Sequence, residues 1–376
     1  MKPKLEYINS QLKNIRKNNL YRKMYDSKIT GPYITINSKT LINLCSNDYL
    51  GITQPKISNK QNQSSSRLIA GNDNSFRILE EKLAKHKSQE RSLIFPTGYM
   101  ANLGVISSLI GKNDLVLSDK LNHASLIEAC KLCNAKLSIF KHNNMSDLIH
   151  KIKTKARRKF IITEGIFSMD GDFSDLNTVS EISEKNDAIT ILDDAHGDFV
   201  VGNDGKGTAN YFGVSKKIDV YISSLSKGLG SFGGYVSARK SIIELCINKS
   251  KSFIYTSALP RLLIDDATKR FESNREKNRK KLWKNVKKFS VGLKKIGFNV
   301  NSNSHIFPII IGKEKAAIEF GEYLFKNGIF AQPIRYPTVS RNHARIRISI
   351  TARLTDDHIT KSLSVLESAK KKFHLI

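Results

Sequence analysis

The sequence predicts an α/β protein with a large, mostly parallel sheet, followed by a smaller C-terminal α+β domain. Three observations support this fold class. Short apolar runs alternate with helical periodicity between about residues 70 and 250, which is typical of a parallel sheet covered on both faces. A long, highly charged helical pattern follows Pro260. Strand-like segments then surround a single helix near the C-terminus.

The elements are predicted in order along the chain. Apolar residues at helical spacing from Leu5 to Ile15 predict an amphipathic helix, and Gly31-Pro32 marks the turn of a hairpin-like stretch. The helices FRILEEKLAKH and YMANLGVISSLI flank the strand RSLIF. Further predicted strands are DLVLS, AKLSIF, KFIITEG, DAITILDD and DVYISS. After the charged helix come the strands NVNS, FPIIIG, GIFAQPI and ARIRISI and the helix KAAIEFGEYLFKNG.

These elements divide the 376 residues into an N-terminal arm (1–45), a large α/β domain (46–272) and a small C-terminal domain (273–376). The first residues lack the apolar core of a secretory signal, and no run approaches the roughly 20 apolar residues of a membrane span. We therefore expect a cytoplasmic protein with no membrane partner. Four cysteines are too few for a disulfide scaffold in this chain, and the Cys130-x-x-Cys133 pair is interpreted as two helix residues.

The formal net charge is +28, which is compatible with a nucleic acid, an anionic membrane or a polyanionic small molecule as partner. The lysines are spread along the chain and are densest between Lys269 and Lys295, without a zinc-finger or RNA-binding pattern. We therefore expect no nucleic-acid partner. The charge either solvates helix faces or favours a phosphate-rich substrate such as coenzyme A.

The segment VYISSLSKGLGSFGGYV places Lys227 after a strand and among glycines. Residues 228–233 formally match a G-x-G-x-x-G dinucleotide fingerprint, but 235–237 predict a strand where a pyrophosphate-binding helix is needed. A Schiff-base lysine must be partly desolvated to be nucleophilic, and this location can supply that. The hydroxyl of Ser224, three residues earlier, can bind a phosphate.

Other polar residues lie where strands end or helices begin. AITILDDAHGD places Asp193 at a strand end, where its carboxylate can hold a pyridine nitrogen protonated. The alternative is that the DDAH segment binds a metal ion. No further acidic cluster supports such a site, so no metal is expected. His123 can cover a cofactor ring or cap a helix. Gly98 and Tyr99 open a helix after a strand, where free N–H groups form an anion site.

The order of these motifs, with their flanking segments, resembles the α-oxoamine synthase family. The similarity runs from about residue 20 to 370 and includes LCSNDYLGI, SRLIAGN, FPTGYMAN, NHASLIEA, TEGIFSMDGD, DDAHG, SKGLGSFGG, YTSALP and YPTVSRNHARIRIS. The resemblance implies a homodimer of fold type I that uses pyridoxal 5'-phosphate. It further implies that this chain is an acyltransferase.

The resemblance also implies roles for individual residues. Those that match the cofactor-binding motifs are Gly98, Tyr99, His123, Ser168, Asp193, His196, Ser224 and Lys227. Lys227 is implied to form the covalent link, Asp193 to pair with the pyridine nitrogen, and His123 to stack on the ring. His196 and Ser168 are implied to lie near the phenolic oxygen. Matches to substrate contacts are Arg22 and Thr338 for the acyl group, and Asn47 and Arg347 for the amino-acid carboxylate.

The reaction implied is the decarboxylative condensation of an amino acid with an acyl thioester. DDAHG and SRLIAGN favour the biotin-pathway branch, which joins L-alanine to pimeloyl-CoA or a pimeloyl-carrier protein. Aminolevulinate synthases, aminoketobutyrate ligases and serine palmitoyltransferases are the alternatives. Two steps depart from the family pattern: Asp198-Phe199 replaces the usual Thr-Gly, and SSSRL lacks the usual glycine before Ser66-Arg67.

Overall fold

The computed structural model describes residues 6–53, 55–56, 65–300 and 302–375. The strands are β1 (Ser27–Thr30), β2 (Tyr33–Ile36), β3 (Lys39–Asn43), β4 (Arg91–Phe95), β5 (Leu115–Asp119), β6 (Lys136–Phe140), β7 (Lys159–Glu164), β8 (Ala188–Asp193), β9 (Val220–Ser224), β10 (Gly234–Ala238), β11 (Ile306–Gly312), β12 (Ile329–Phe330), β13 (Pro333–Ile334) and β14 (Ala344–Ser349). The helices are α1 (Glu6–Lys17), α2 (Asn74–Lys87), α3 (Gly98–Leu109), α4 (Ala124–Leu132), α5 (Met145–Ile152), α6 (Leu176–Lys185), α7 (Thr208–Tyr211), α8 (Lys240–Lys249), α9 (Lys251–Ile254), α10 (Arg261–Glu272), α11 (Glu276–Lys295), α12 (Glu314–Lys326) and α13 (Asp356–Lys372). Leu5, the first residue of the predicted amphipathic face, lies outside the described residues.

The chain forms two compact units. The larger comprises residues 47–168 and 172–279, and the smaller comprises residues 1–46, 169–171 and 280–376. The smaller unit therefore contains both the N-terminal arm and the C-terminal segment. The limits of the three domains expected from the sequence stay a prediction.

The larger unit is built on a seven-stranded sheet with the order β4-β10-β9-β8-β7-β5-β6. Neighbouring strands from β9 to β6 run parallel, and β10 runs antiparallel to both β4 and β9. The strands inside the sheet are mostly apolar and buried, as expected for a sheet covered on both faces, whereas the edge strand β6 is partly exposed. The predicted large, mostly parallel sheet is therefore confirmed, and the parallel strands present their carboxyl ends at one edge.

Side chains adjacent to the helices fix where two of them begin. The carboxylate of Asp73 accepts a hydrogen bond from the backbone N–H of Ser75 at the start of α2. The hydroxyl oxygen of Thr97 accepts from the N–H of Met100 at the start of α3. Such caps satisfy N–H groups that have no partner within the helix. The cap at Thr97 leaves the first N–H groups of α3 directed away from the helix body.

The smaller unit contains two sheets, one with the order β1-β2-β3-β12 and one with the order β11-β14-β13. The predicted hairpin at Gly31-Pro32 is present, because β1 and β2 pair antiparallel on either side of that turn. Strand β12 pairs parallel with β3, with Ile329 opposite Ile42. The predicted α+β character of the C-terminal segment is confirmed.

Two local predictions were wrong. The charged helical pattern is split between α10 and α11, because Ser273 and Asn274 bond locally at the break. The Ser273 hydroxyl donates to the Arg270 carbonyl at 2.7 Å, and the Asn274 side-chain oxygen accepts from the Glu276 N–H at 3.2 Å. The segment NVNS forms no strand in its described residues, because the hydroxyl of Ser302 bonds instead to the Gly171 carbonyl at 3.1 Å.

No described helix is both long and apolar enough to cross a membrane.

A histidine joins two loops at the carboxyl edge of the large sheet. His142 lies 2.9 Å from Asp119 Oδ1 through Nδ1 and 2.8 Å from Asp172 Oδ2 through Nε2. Burial opposes a charge on this ring, but the two carboxylates outweigh it and raise the pKa of His142 to about 10. The imidazolium therefore holds the end of β5, which precedes His123, against the loop that follows β7.

This arrangement predicts a pH-dependent stability. His142 loses its proton near pH 6.5 in the unfolded chain and near pH 10 in the folded one. The stabilisation of the fold by the charged ring is therefore complete below pH 6.5 and is lost as pH rises through 10. Between these two pH values the free energy of unfolding should fall by at most about 1.4 kcal/mol per pH unit. Urea unfolding should show that His142→Gln removes this decline, whereas the exposed His150→Gln keeps it. A decline of equal size in both variants would contradict the assignment.

Candidate active site

A cavity of about 240 Å³ lies at the carboxyl edge of the large sheet. It is lined by the ends of three neighbouring strands, the start of α3 and the loop after β5. The lining residues are Thr97, Gly98, Tyr99, Asn102, His123, Ser125, Glu164, Asp193, Ala195, His196, Ile222, Ser223, Ser224, Ser226 and Lys227. Seven of the eight residues that match cofactor-binding motifs therefore lie together. Ser168 is buried in the loop after β7 and does not line the cavity.

The amine of Lys227 is the first member of a hydrogen-bonded chain. Its Nζ lies 3.0 Å from Nε2 of His196, whose Nδ1 lies 2.7 Å from the hydroxyl of Tyr49. Tyr49 donates its one proton to Oδ1 of Asn47 at 3.0 Å. His196 Nδ1 must therefore donate to Tyr49, and in the neutral ring Nε2 is then the acceptor that faces Lys227. This tautomer aligns the lysine amine within the cavity.

Asp193 is held in place by two donors. Its Oδ2 accepts from Nδ2 of Asn102 at 2.7 Å, and its Oδ1 accepts from the N–H of Ala195 at 3.0 Å. The residue ends β8 and is 7% exposed. Hydrogen bonds of this kind stabilise the ionised carboxylate. Asp193 therefore presents a carboxyl group in a fixed orientation to the cavity.

His123 caps a helix, which is one of the two roles considered from the sequence, and the other role stays a prediction. Its Nδ1 accepts from the N–H of Ser125 at 3.3 Å, which caps α4, and lies 2.7 Å from the hydroxyl of the same serine. Burial lowers the pKa of His123, and Asp193 raises it less. The ring is therefore neutral, and it also lines the cavity.

The other end of the cavity provides hydrogen-bond donors for an anion. The first N–H groups of α3, at Gly98 and Tyr99, have no acceptor within the helix. The Ser224 hydroxyl lies 2.8 Å from that of Ser226. A Cβ atom at Gly98 would lie 3.3 Å from the Ser224 Cβ. Glycine therefore keeps the space between the helix and β9 open.

The glycines after Lys227 form a tight loop between β9 and β10. Gly230 has a φ of +69°, which favours glycine, and its N–H donates to the Lys227 carbonyl at 3.0 Å. The antiparallel strand β10 follows where a dinucleotide site needs a helix. The structure therefore excludes the dinucleotide interpretation of residues 228–233.

A buried ionic network lies next to this loop. Nζ of Lys87 contacts Asp194 at 3.1 Å and Asp198 at 2.7 Å, with all three side chains fully buried. Burial opposes a charge on Lys87, but the two carboxylates outweigh it and raise the pKa of the lysine. Asp198 also lies 3.0 Å from His86, whose ring stacks on Phe199. Asp194 is thus engaged away from the cavity, which argues against a metal site in DDAH.

The departure Asp198-Phe199 is explained by these contacts. Phe199 has a φ of +64°, a left-handed conformation that is strained for a bulky residue. Its N–H donates to the Gly205 carbonyl at 2.7 Å, and its ring stacks on His86 at a centroid distance of 4.9 Å. The hydroxyls of Ser223 and Tyr235 donate to Asp198. The aspartate and the aromatic ring therefore stabilise a backbone conformation that a glycine adopts without strain.

Lys87→Met is expected to lower the free energy of unfolding by about 3–5 kcal/mol, because it leaves two carboxylates buried without their cation. Urea unfolding at pH 7 measures the change. The control is Lys217→Met, which removes an exposed ion pair with Glu184 and should cost at most about 1 kcal/mol. Equal losses in the two variants would contradict the importance of the network.

Of the remaining predicted residues, Arg22, Thr338 and Arg347 lie in the smaller unit, and Asn47 is the first residue of the larger one. The Arg22 guanidinium donates to the Thr338 hydroxyl at 3.4 Å. Arg22 lines a cavity of about 620 Å³ together with other basic residues, which are Arg16, Lys23, Lys326 and Arg335. Arg347 is buried on β14 and donates to the Ser349 hydroxyl at 2.9 Å. The structure thus brings Arg22 and Thr338 together, as expected for two contacts of one acyl group.

Glu164, Asn102 and Tyr49 are among the residues that line or support the cavity and that the sequence analysis missed. Glu164 ends the buried strand KFIITE just as Asp193 ends AITILD. The same pattern of an apolar run followed by an acidic residue could therefore have indicated Glu164. Asn102 lies one turn inside α3, where an amide has no distinctive pattern. Tyr49 contacts His196 across 147 residues of sequence, a separation that no local pattern predicts.

Comparison with known proteins identifies the family. A family model described as aminotransferase class I and II matches residues 39–366. The chain belongs to this family. Its curated relatives include the 8-amino-7-oxononanoate synthase of Thermoanaerobacter pseudethanolicus, which is 38% identical over 389 residues that cover 99% of this chain and 98% of the relative. Another is 8-amino-7-oxononanoate synthase 1 of Bacillus subtilis, 35% identical over 392 residues and the full length of both chains.

Solved structures of similar proteins agree with the class I and II fold. An 8-amino-7-oxononanoate synthase from Francisella tularensis has a TM-score of 0.74 and 28% identity, over 89% of this chain and 99% of that one. A serine palmitoyltransferase from S. paucimobilis has a TM-score of 0.92 and 24% identity over 99% of both chains, which is a likeness of fold alone. The resemblance to α-oxoamine synthases and the fold-type I architecture are therefore confirmed.

Proposed function

We propose that this protein is a pyridoxal 5'-phosphate-dependent acyltransferase of biotin biosynthesis. It condenses L-alanine with pimeloyl-CoA or a pimeloyl-carrier protein and yields 8-amino-7-oxononanoate, the free thiol and CO2. The observation that carries this function is the full-length similarity to curated 8-amino-7-oxononanoate synthases. The cavity around Lys227 supplies the chemistry that such a reaction needs.

The residues of the cavity fit pyridoxal phosphate. The start of α3 and the hydroxyl of Ser224 suit a phosphate group, and the space left by Gly98 admits it. Asp193 suits a protonated ring nitrogen, and the amine of Lys227 suits covalent attachment. When bound, the cofactor supplies an electron-accepting ring that stabilises negative charge at the amino-acid Cα.

The side chains then have separate tasks. Nζ of Lys227 removes the Cα proton of alanine, and the neighbouring Nε2 of His196 accepts a hydrogen bond that orients the amine. The neutral imidazole of His123 would cover the cofactor ring without adding a charge. His196 is assigned to the phenolic oxygen and Tyr99 to the cofactor cradle, and both residues line the cavity. Ser168, which does not line it, is assigned to the phenolic oxygen on the resemblance alone. The new bond joins alanine Cα to the thioester carbonyl carbon and the thiol leaves. The carboxylate then departs as CO2, and a proton takes its place on Cα.

Substrate contacts are proposed for four residues. Asn47 and Arg347 bind the carboxylate of alanine, for which a guanidinium offers two parallel donors. Arg22 and Thr338 bind the acyl group. Support for the second assignment is the 3.4 Å hydrogen bond between these residues and the basic cavity that Arg22 lines.

Arg22→Gln is expected to raise the KM for pimeloyl-CoA by about tenfold, because a charge-assisted hydrogen bond contributes about 1.5–3 kcal/mol. The KM for alanine should change little. Steady-state kinetics with each substrate varied in turn measures both values. Arg77→Gln, which removes an exposed pair with Glu81, is the control. An unchanged donor KM in Arg22→Gln would contradict the assignment.

Homodimerisation and a cytoplasmic location complete the proposal. Large apolar side chains are exposed on a single chain, including Met24, Ile69 and Tyr255 at 101%, 82% and 81%, and a second subunit would cover such surfaces. All four cysteines are free thiols, as in proteins of a reducing compartment. Mass photometry of the purified protein tests the dimer.

Product analysis tests the function. The cofactor-loaded protein is incubated with alanine, glycine or serine and with pimeloyl-CoA, pimeloyl-carrier protein, acetyl-CoA, succinyl-CoA or palmitoyl-CoA. Mass spectrometry should find 8-amino-7-oxononanoate as the preferred product, from alanine and a pimeloyl donor. Faster turnover of glycine with succinyl-CoA or acetyl-CoA, or of serine with palmitoyl-CoA, would assign the chain to another branch of the α-oxoamine synthases.

A further inference from the structure

A second carboxyl group lies beside Asp193. Glu164 ends β7 and Asp193 ends β8, and the two residues are directly paired in the parallel register. Paired residues on neighbouring strands direct their side chains to the same face of the sheet. Both side chains line the cavity. Glu164 is 3% exposed, so bulk water does not solvate its carboxyl group.

The two carboxyl groups differ in their hydrogen bonds. Asp193 accepts from Asn102 and Ala195, one donor for each oxygen. Glu164 accepts from the backbone N–H of His123, but its Oε1 is buried and has no hydrogen-bond partner among the described residues. A buried carboxylate that lacks donors is costly, whereas a neutral carboxyl group is not. The hydrogen bonds therefore favour the charge on Asp193.

The charged groups around Glu164 also favour a neutral Glu164 and a charged Asp193. Those that face it are Asp193 on β8, Lys227 after β9 and Asp119 at the end of β5. Burial raises the pKa of Glu164 well above its usual range, and the charge of Asp193 raises it further. Lys227 and the His123 N–H lower it by less. Two carboxyl groups that line one buried cavity repel each other when both are charged, so one of them tends to keep its proton.

We propose that Glu164 and Asp193 form a carboxyl pair that carries one negative charge, with the proton on Glu164. Asp193 is then the charge that meets the cofactor's ring nitrogen. Glu164 is a positioning residue: it holds the His123 backbone and keeps a second negative charge away from Lys227. The consequence for catalysis rests on the proposed function, but the charge state of the pair does not.

Unfolding of the cofactor-free protein tests the pair. A carboxyl group that the fold keeps neutral retains a proton that the unfolded chain has lost, so stability falls as pH rises above about 4.3. The unfolding constants of the parent and of Glu164→Gln are measured in urea between pH 5 and pH 8, at one protein concentration. Their ratio, parent over variant, should rise by up to about tenfold per pH unit. The control Glu244→Gln, on the exposed face of α8, should give a flat ratio.

The same comparison in an Asp193→Asn background tests the coupling. Without the neighbouring charge, Glu164 should ionise at lower pH, and the rise in the ratio should end earlier. A flat ratio in the parent background would overturn the proposal, and so would an identical rise in both backgrounds. If the ratio rises as expected but the product assay fails, the pair stands and the proposed function falls.

Discussion

Replacing Lys227 with alanine is expected to abolish turnover while leaving the protein folded. The substitution removes both the amine that attaches the cofactor and the base that takes the Cα proton. General base catalysis alone is typically worth about 10²–10⁴-fold, so product formation should fall by at least about 10⁴-fold when both tasks are lost. Quantitative mass spectrometry of the product, with pimeloyl-CoA and alanine in excess, measures the loss.

The control for this variant is Lys240→Ala, which removes an exposed lysine at the start of α8. It should retain parent activity. Both proteins should melt near the parent temperature, because Lys227 contributes one side chain to an open cavity. Parent turnover by Lys227→Ala, or loss of activity together with loss of folding, would contradict the catalytic assignment.

Asp193→Asn is expected to slow exchange of the alanine Cα proton with solvent by about 10²-fold or more, the scale observed when one preorganised electrostatic group is removed. A neutral amide cannot hold a protonated ring nitrogen, so the electron-accepting capacity of the cofactor is lost. Proton NMR in deuterium oxide follows the Cα signal without any acyl donor. The measurement therefore isolates proton removal from the later steps.

Asp187→Asn makes the same chemical change at an exposed position whose φ of +48° an asparagine also accepts. Exchange at the parent rate is expected there. If Asp193→Asn exchanges as fast as this control, then Asp193 does not serve the cofactor. Asp194 is a poor substitute for that role, because it is committed to Lys87 and Thr208.

The sequence predicted the parts of the site that local patterns encode. Asp193 and Lys227 each follow an apolar run, and the carboxyl ends of parallel strands meet at one edge. The Thr97 cap and the start of α3 were likewise readable, because capping depends on residues a few positions apart. The order of such signals along the chain was enough to indicate the family.

The features that the sequence did not predict depend on contacts between residues that are far apart in the chain. Nothing near Lys87 indicates that it contacts Asp194 and Asp198, more than 100 residues away. The chain from Lys227 through His196 to Tyr49 is equally non-local. The segment NVNS failed for the same reason, because the hydroxyl of Ser302 donates to the carbonyl of Gly171, 131 residues away.

The most direct test of the central claim is to find the lysine to which the cofactor is attached. The cofactor-loaded protein is reduced with borohydride, digested and analysed by peptide mass spectrometry. The account predicts the cofactor's mass on the peptide that contains Lys227, at near-complete occupancy and competed by alanine added before reduction. Labelling of another lysine at equal or higher occupancy, or of none, would contradict it.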